Sequence, residues 1–189
     1  DPQMVELRGS LTQDVTGWIE SQLRTVCRHE PAQIEEVLFA WILGSRGTEP
    51  ELTTVVHLVE DARMSDLLDE FGSDAIDELA QTKVYKKGDR ATLILDTKTF
   101  AVAPLAYGTE LAEWVDVPNQ NTSDGIIDLL QRTDRQRLVT VIFEPVDLER
   151  HLEHLVGQSV RPVMSLVADW FAADAETVCW SLHTGDEFY

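Results

Sequence analysis

The chain has 189 residues, 43% of them hydrophobic, so one domain or two small lobes with a real core can form, and the composition argues against global disorder. Fifteen Lys and Arg stand against 34 Asp and Glu, a formal net charge of -19. A phosphate backbone or an anionic lipid surface would repel such a chain, so the expected partners include no nucleic acid and no peripheral membrane.

In chain order, a first helix is expected over Thr12–His29. Val15, Trp18, Ile19, Leu23 and Val26 recur at helical spacing, Thr12 can cap the start and Pro31 ends it. Two β-rich runs, Val37–Leu43 and Thr53–Val59, flank a Gly/Pro turn region and read as a hairpin with a longish loop. The first run is apolar on both faces, which predicts a central strand. The stretch "MSDLLDEFGSDAIDELAQ" predicts one or two helices, with Ser65 and Ser73 as caps. A meander of three short strands follows in "KVYKKGDRATLILDTKTFAVAP", turning at Gly88-Asp89 and at Asp96-Thr97-Lys98. "GTELAEWVD" is a short helix capped by Thr109. Ser123 caps a further helix over "DGIIDLLQRT". Leu138–Phe143 is a strand, "DLERHLEHLVG" and Pro162–Ala173 are helices, and "ETVCWSLH" is a last strand.

These elements predict an α/β (α+β) fold, with largely antiparallel sheets covered by helices on one face. Two stretches echo each other. "IEEVLFAWILGSRG" (Ile34 to Gly47) and "AETVCWSLHTGDEF" (Ala175 to Phe188) each run acid, Val, aromatic, then a Gly turn, after an amphipathic helix. On this reading 1–116 is a first α/β unit, 117–125 a loop, and 126–189 helices and strands of a partial second unit. The chain opens on "DPQ" and stops at "GDEFY" within an expected strand, which reads as a piece of a longer protein. The longest apolar run, "VLFAWIL", is far short of the ~20 residues that span a bilayer, so no direct membrane insertion of this segment is expected. The order helix, hairpin, helix, meander with "ATLILD", then "SDGIIDLL" and "RLVTVIFEP" resembles uncharacterised, envelope-anchored bacterial proteins built from two such α/β repeats. The resemblance implies an extracytoplasmic, membrane-tethered setting and no chemistry.

Chemistry is sought first in "DLERHLEHLVG". Leu148, Leu152, Leu155 and Val156 form one helical stripe. His151 flanks it, and His154 lies nearly opposite, among Glu149, Arg150 and Glu153. At i and i+3 the two imidazoles could face one metal ion. A zinc site needs three or four ligands, and the third would come from His183, His57 or a distant acid. His57 alternates with Val55 and Val59 on one strand face. It reads as a core histidine or as an acid/base group near Asp61. His29 follows a helix end, where a cation suits the dipole. Cys27 and Cys179 fit no metal-ligand spacing. They read as two buried thiols, or as one disulfide in an oxidising compartment.

Other patterns fail. There is no Gly-x-Ser-x-Gly elbow. "LGSRG" lacks the Lys-Ser/Thr of a phosphate loop. "NQNTSDG" has Asp124 where a calcium loop needs Gly, and Leu130 at its twelfth position. The acids Asp66, Asp69, Glu70, Asp74, Asp77 and Glu78 read as the outer face of amphipathic helices. Trp18, Trp41, Trp170 and Trp180 sit in apolar periodicity and predict core, whereas Trp114 predicts an exposed contact residue. The expectation is therefore a non-catalytic binding or structural module of a larger, extracytoplasmic protein, without a cofactor, whose partner is another protein or the rest of its own chain. The alternatives are a metal-dependent hydrolase using His151, His154 and an acid, and an intracellular regulatory domain. A binding module should present an apolar edge or groove. A hydrolase should bring His57, His151 or His183 together with carboxylates.

Overall fold

The computed structural model describes residues 17, 20–21, 23–72, 74–79, 82–116, 123–134, 139–155, 157–158, 161–172 and 174–182. The chain divides into two units, Asp1–Trp41 with Leu52–Pro118, and Ile42–Glu51 with Asn119–Tyr189. Residues 117–122, most of the expected loop, lie outside the described residues, as does much of the first expected helix.

The first unit is an α/β (α+β) sheet structure. A π-helical turn, Leu23–Cys27, and a 3-10 turn, Pro31–Gln33, lead into β1 (Ile34–Ile42) and β2 (Glu51–Leu58). Then come α1 (Met64–Phe71), β3 (Asp74–Leu79), β4 (Thr82–Lys87), β5 (Arg90–Ile94), β6 (Thr99–Pro104) and α2 (Gly108–Asp116). Six strands form one sheet in the order β1-β2-β6-β5-β4-β3. The pairs β2/β6, β6/β5, β5/β4 and β4/β3 are all antiparallel. The β4–β5 hairpin closes through Gly88-Asp89, with Lys87 opposite Arg90 and Gly88 at φ 64. A positive φ at the first central residue alone is what a II′ turn needs, and glycine supplies it.

Helical segments cover both faces of the sheet, where the patterning predicted one. On β6, Phe100 and Val102 belong to a cluster with Leu23, Cys27, Leu67 and Phe71. Ala101 and Ala103 belong to another with Leu93, Leu111 and Ala112. Successive side chains on a strand point to opposite faces. So the π-helical turn and α1 cover one side, and α2 covers the other. Strands β5 and β6 carry the buried, nearly continuous apolar runs of a two-sided core.

Two further expectations are corrected. Residues 74–79 form a strand, not a second helix. Ile76 and Leu79 have helical spacing, but the segment pairs with β4, with a register shift between Ala75 and Asp77. The register sets Asp74 opposite Lys86 and Glu78 opposite Lys83. β1 is an edge strand, not a central one, because β2 takes β6 as its other neighbour.

The second unit holds α3 (Asp124–Arg132), β7 (Val139–Phe143), α4 (Pro145–Leu155), α5 (Arg161–Ala172) and β8 (Val178–Leu182). Ser123 caps α3 by accepting the Ile126 N–H at 3.4 Å. β7 and β8 pair antiparallel. Leu148, Leu152 and Ala168 form the small core of the α4–α5 pair. The two echoing sequences supply β1 and β8, and residues 183–189 lie outside the described part.

Candidate functional site

His57 is brought to a hydroxyl by strand pairing. β2 and β6 place His57 opposite Thr99, and the His57 Nδ1 to Thr99 Oγ1 distance is 3.0 Å. Glu35 Oε2 lies 3.6 Å from His57 Nε2. Beside them, Asp96 Oδ1 accepts the backbone N–H groups of Lys98 and Thr99, each at 2.7 Å. The Lys98 N–H is the main cause holding the Asp96 carboxyl below its usual range. Thr97 donates its hydroxyl to Asp61. Hydroxyl, imidazole and carboxylate thus stand in a row, but His57 and Glu35 are 42% and 62% exposed. At 3.6 Å the second contact is longer than a hydrogen bond. The row joins β2 to Thr99 of β6 and Glu35 of β1.

The α4 histidines have different surroundings. His151 is 2% exposed on the face that carries Leu148 and Leu152, and its Nδ1 has no partner among the described residues. His154 sits at the surface, its Nε2 3.4 Å from Glu153. His183 lies outside the described residues, within which no three His, Cys, Asp or Glu are grouped to hold a metal ion. His29 Nδ1 donates to the Cys27 carbonyl at 2.7 Å and its ring stacks on Phe71 at 6.2 Å, so it closes the end of the π-helical turn.

Both cysteines are free thiols: Cys27 is buried in the first core and Cys179 is exposed on β8. Burial pushes the Cys27 thiol up to about 11, because desolvation disfavours the thiolate. The native chain at pH 8 should therefore give one fast equivalent with Ellman's reagent, from Cys179. The second should appear only in denaturant. The neutral thiol is the form the fold prefers, so stability should also fall as pH rises from about 9 through about 11. Two fast equivalents in the native chain would refute this assignment.

A cleft opens on the α1 side of the sheet, with a volume of about 240 Å³. Arg28, Lys87 and Arg90 line it, from the π-helical turn, the end of β4 and the start of β5. Arg28 has φ 53, a left-handed conformation that ends the turn. Its guanidinium lies 6.0 Å from the Phe71 ring centre and donates to the Glu70 carbonyl at 2.8 Å. Lys87 Nζ donates to the carbonyls of Asp69 and Glu70 at 2.8 and 2.7 Å. These cations satisfy the C-terminal carbonyls of α1, where the helix dipole is negative. Sequence reasoning missed the cleft, since its residues are up to 77 positions apart (Thr25 to Val102). The one visible signal was the crowding of the scarce lysines in "KVYKKGDR".

Large apolar side chains also reach the surface. Leu38 and Trp41 on β1 are 50% and 44% exposed. On α5, Val163, Leu166 and Trp170 are 60%, 69% and 77% exposed at i, i+3 and i+7, an outward stripe opposed to Ala168. Trp180 is exposed on β8, opposite exposed Val141. Three of the four tryptophans expected in the core are thus at the surface, and Trp18 and the Trp114 side chain are outside the described residues. Apolar periodicity is the same for a stripe that faces a core and one that faces outward. No family model matches this chain, and neither a curated protein nor a solved structure does. Among the described residues, no helix is long and apolar enough to cross a membrane.

Proposed function

We propose that the chain is a non-catalytic binding module of a larger, extracytoplasmic protein, and that β1 is its contact edge. The observation that carries this reading is a mismatch between composition and position. Val37–Leu43 has the composition of a strand buried on both faces, yet β1 ends the sheet with Leu38 and Trp41 exposed. Edge strands are normally blunted by charge or proline. From Val37 to Ile42 this one has neither. Such an edge is a template for an extended segment of a partner, which would pair with the backbone and cover the apolar side chains. The partner is a polypeptide, another protein or a further part of the same chain. The net charge of -19 disfavours nucleic acid. The extracytoplasmic setting rests on the acid-rich, lysine-poor composition.

The test is affinity purification from the native cells with the wild-type chain and a Leu38→Lys, Trp41→Ser variant in parallel. Both residues are exposed, so stability should change by less than about 1 kcal/mol. The expected result is a stoichiometric polypeptide partner lost with the variant and retained by His151→Ala, His154→Ala. A partner held equally by the β1 variant would refute the edge assignment. Turnover of an ester or peptide that is lost in the histidine variant would refute the non-catalytic reading.

A further inference from the structure

We propose that the cleft of the first unit binds a small organic anion, a carboxylate carried on a short apolar body. Its wall departs sharply from the rest of the chain. The sequence holds 34 acids and 15 Lys and Arg, yet three cations and no acidic side chain line the cleft. Among the described residues, Glu70 Oε1 lies 3.2 Å from Arg28 and offsets its charge, and Arg90 donates to the Leu52 carbonyl at 3.1 Å; the Lys87 ammonium, bonded there to carbonyls, keeps the cleft cationic.

The donors are not exhausted by capping α1. A lysine ammonium has three N–H groups and a guanidinium five. Two bonds are assigned to Lys87 Nζ, and those of Arg28 all leave from one terminal nitrogen. The remaining N–H groups can hold a carboxylate by charge-assisted bonds. Val26, Leu52, Phe71 and Val102 supply an apolar wall for the body of the ligand. Drug-sized sites run to about 300–1,000 Å³; at about 240 Å³ the cleft suits something smaller.

The overall negative field opposes any anion. At physiological ionic strength that field is screened beyond about 8 Å. The contacting cations act at hydrogen-bond distance, where the Coulomb term is largest.

The probe is phenylacetate, titrated into the whole chain at physiological salt and followed by amide chemical shifts. We expect saturable shifts at Arg28, Thr92 and Val102. 2-Phenylethanol, with the same body and no charge, should give none. Lys87→Met should weaken phenylacetate roughly tenfold, the loss of one charge-assisted hydrogen bond. Because Lys87 also caps α1, Val26→Trp is the second variant. It fills the cleft from its apolar wall, replaces none of the cations, and should abolish the shifts. Absence of saturable shifts at the cleft, equal binding of 2-phenylethanol, or unchanged binding by Val26→Trp would each overturn the proposal.

Discussion

Replacing Gly72 with alanine should cost about 3 kcal/mol or more, the sum of a strained backbone and a main-chain collision. Gly72 ends α1, its N–H bonding the Leu68 carbonyl at 2.8 Å, with φ 118 and ψ 144. Only glycine occupies that region readily. An added Cβ would stand 2.2 Å from the Lys86 carbonyl oxygen and 2.7 Å from its carbon. Those atoms belong to β4, which is held on both sides by β3 and β5, so they cannot give way cheaply. Displacing α1 instead would pull the carbonyls of Asp69 and Glu70 from Lys87. Gly88→Ala is the control. Gly88 also has positive φ, but nothing lies within 4 Å of its added Cβ. It should lose only about 1–2 kcal/mol, the left-handed penalty alone. Thermal unfolding separates them: Gly72→Ala should lower Tm by roughly 6–12 °C. Equal losses in the two variants would mean that α1 does not approach β4 as described.

Phe100→Ala is expected to cost about 3–5 kcal/mol. Phe100 is fully buried on β6, between Val56 of β2 and Ile94 of β5. Its ring centre lies 4.6 Å from that of Phe71 and 5.5 Å from that of His29. Truncation removes one of the two phenylalanine rings of that core and leaves a cavity that three strands and α1 cannot close. A domain is stable by only about 5–15 kcal/mol, so the first unit would be near its limit. Urea unfolding measures the loss, with Trp170→Ala as the reference. Trp170 is 77% exposed, and its removal should change stability by no more than about 0.5 kcal/mol. A Phe100→Ala loss below about 1.5 kcal/mol would show that the Phe71–Phe100–His29 cluster is not the centre of the core.

Several local signals were legible, although Ser65 and Thr109, expected as caps, lie inside the helices Met64–Phe71 and Gly108–Asp116. The Gly88-Asp89 and Asp96–Lys98 turns stand where turn chemistry put them, and the meander between them has its expected strands. Ser123 caps α3 because its hydroxyl reaches an N–H three residues on. Residues 74–79 misled because their helical spacing was local evidence, while their pairing with β4 is not. Trp170 misled for a related reason. Its spacing marks a stripe, and only packing says which stripe of α5 meets α4.

The sequence by itself determined the element types over most of the described chain and the antiparallel meander. These follow from periodicity and turn geometry, properties of neighbours in the chain. Only the tertiary structure decided that β1 lies at an edge, that helical segments cover both faces, that Thr99 meets His57 and that three scarce cations share one cleft. Strand order is a choice among distant partners, and each of these arrangements depends on it. An apolar strand reads the same at the centre of a sheet as at its rim, and the difference is which neighbour it has left to bind.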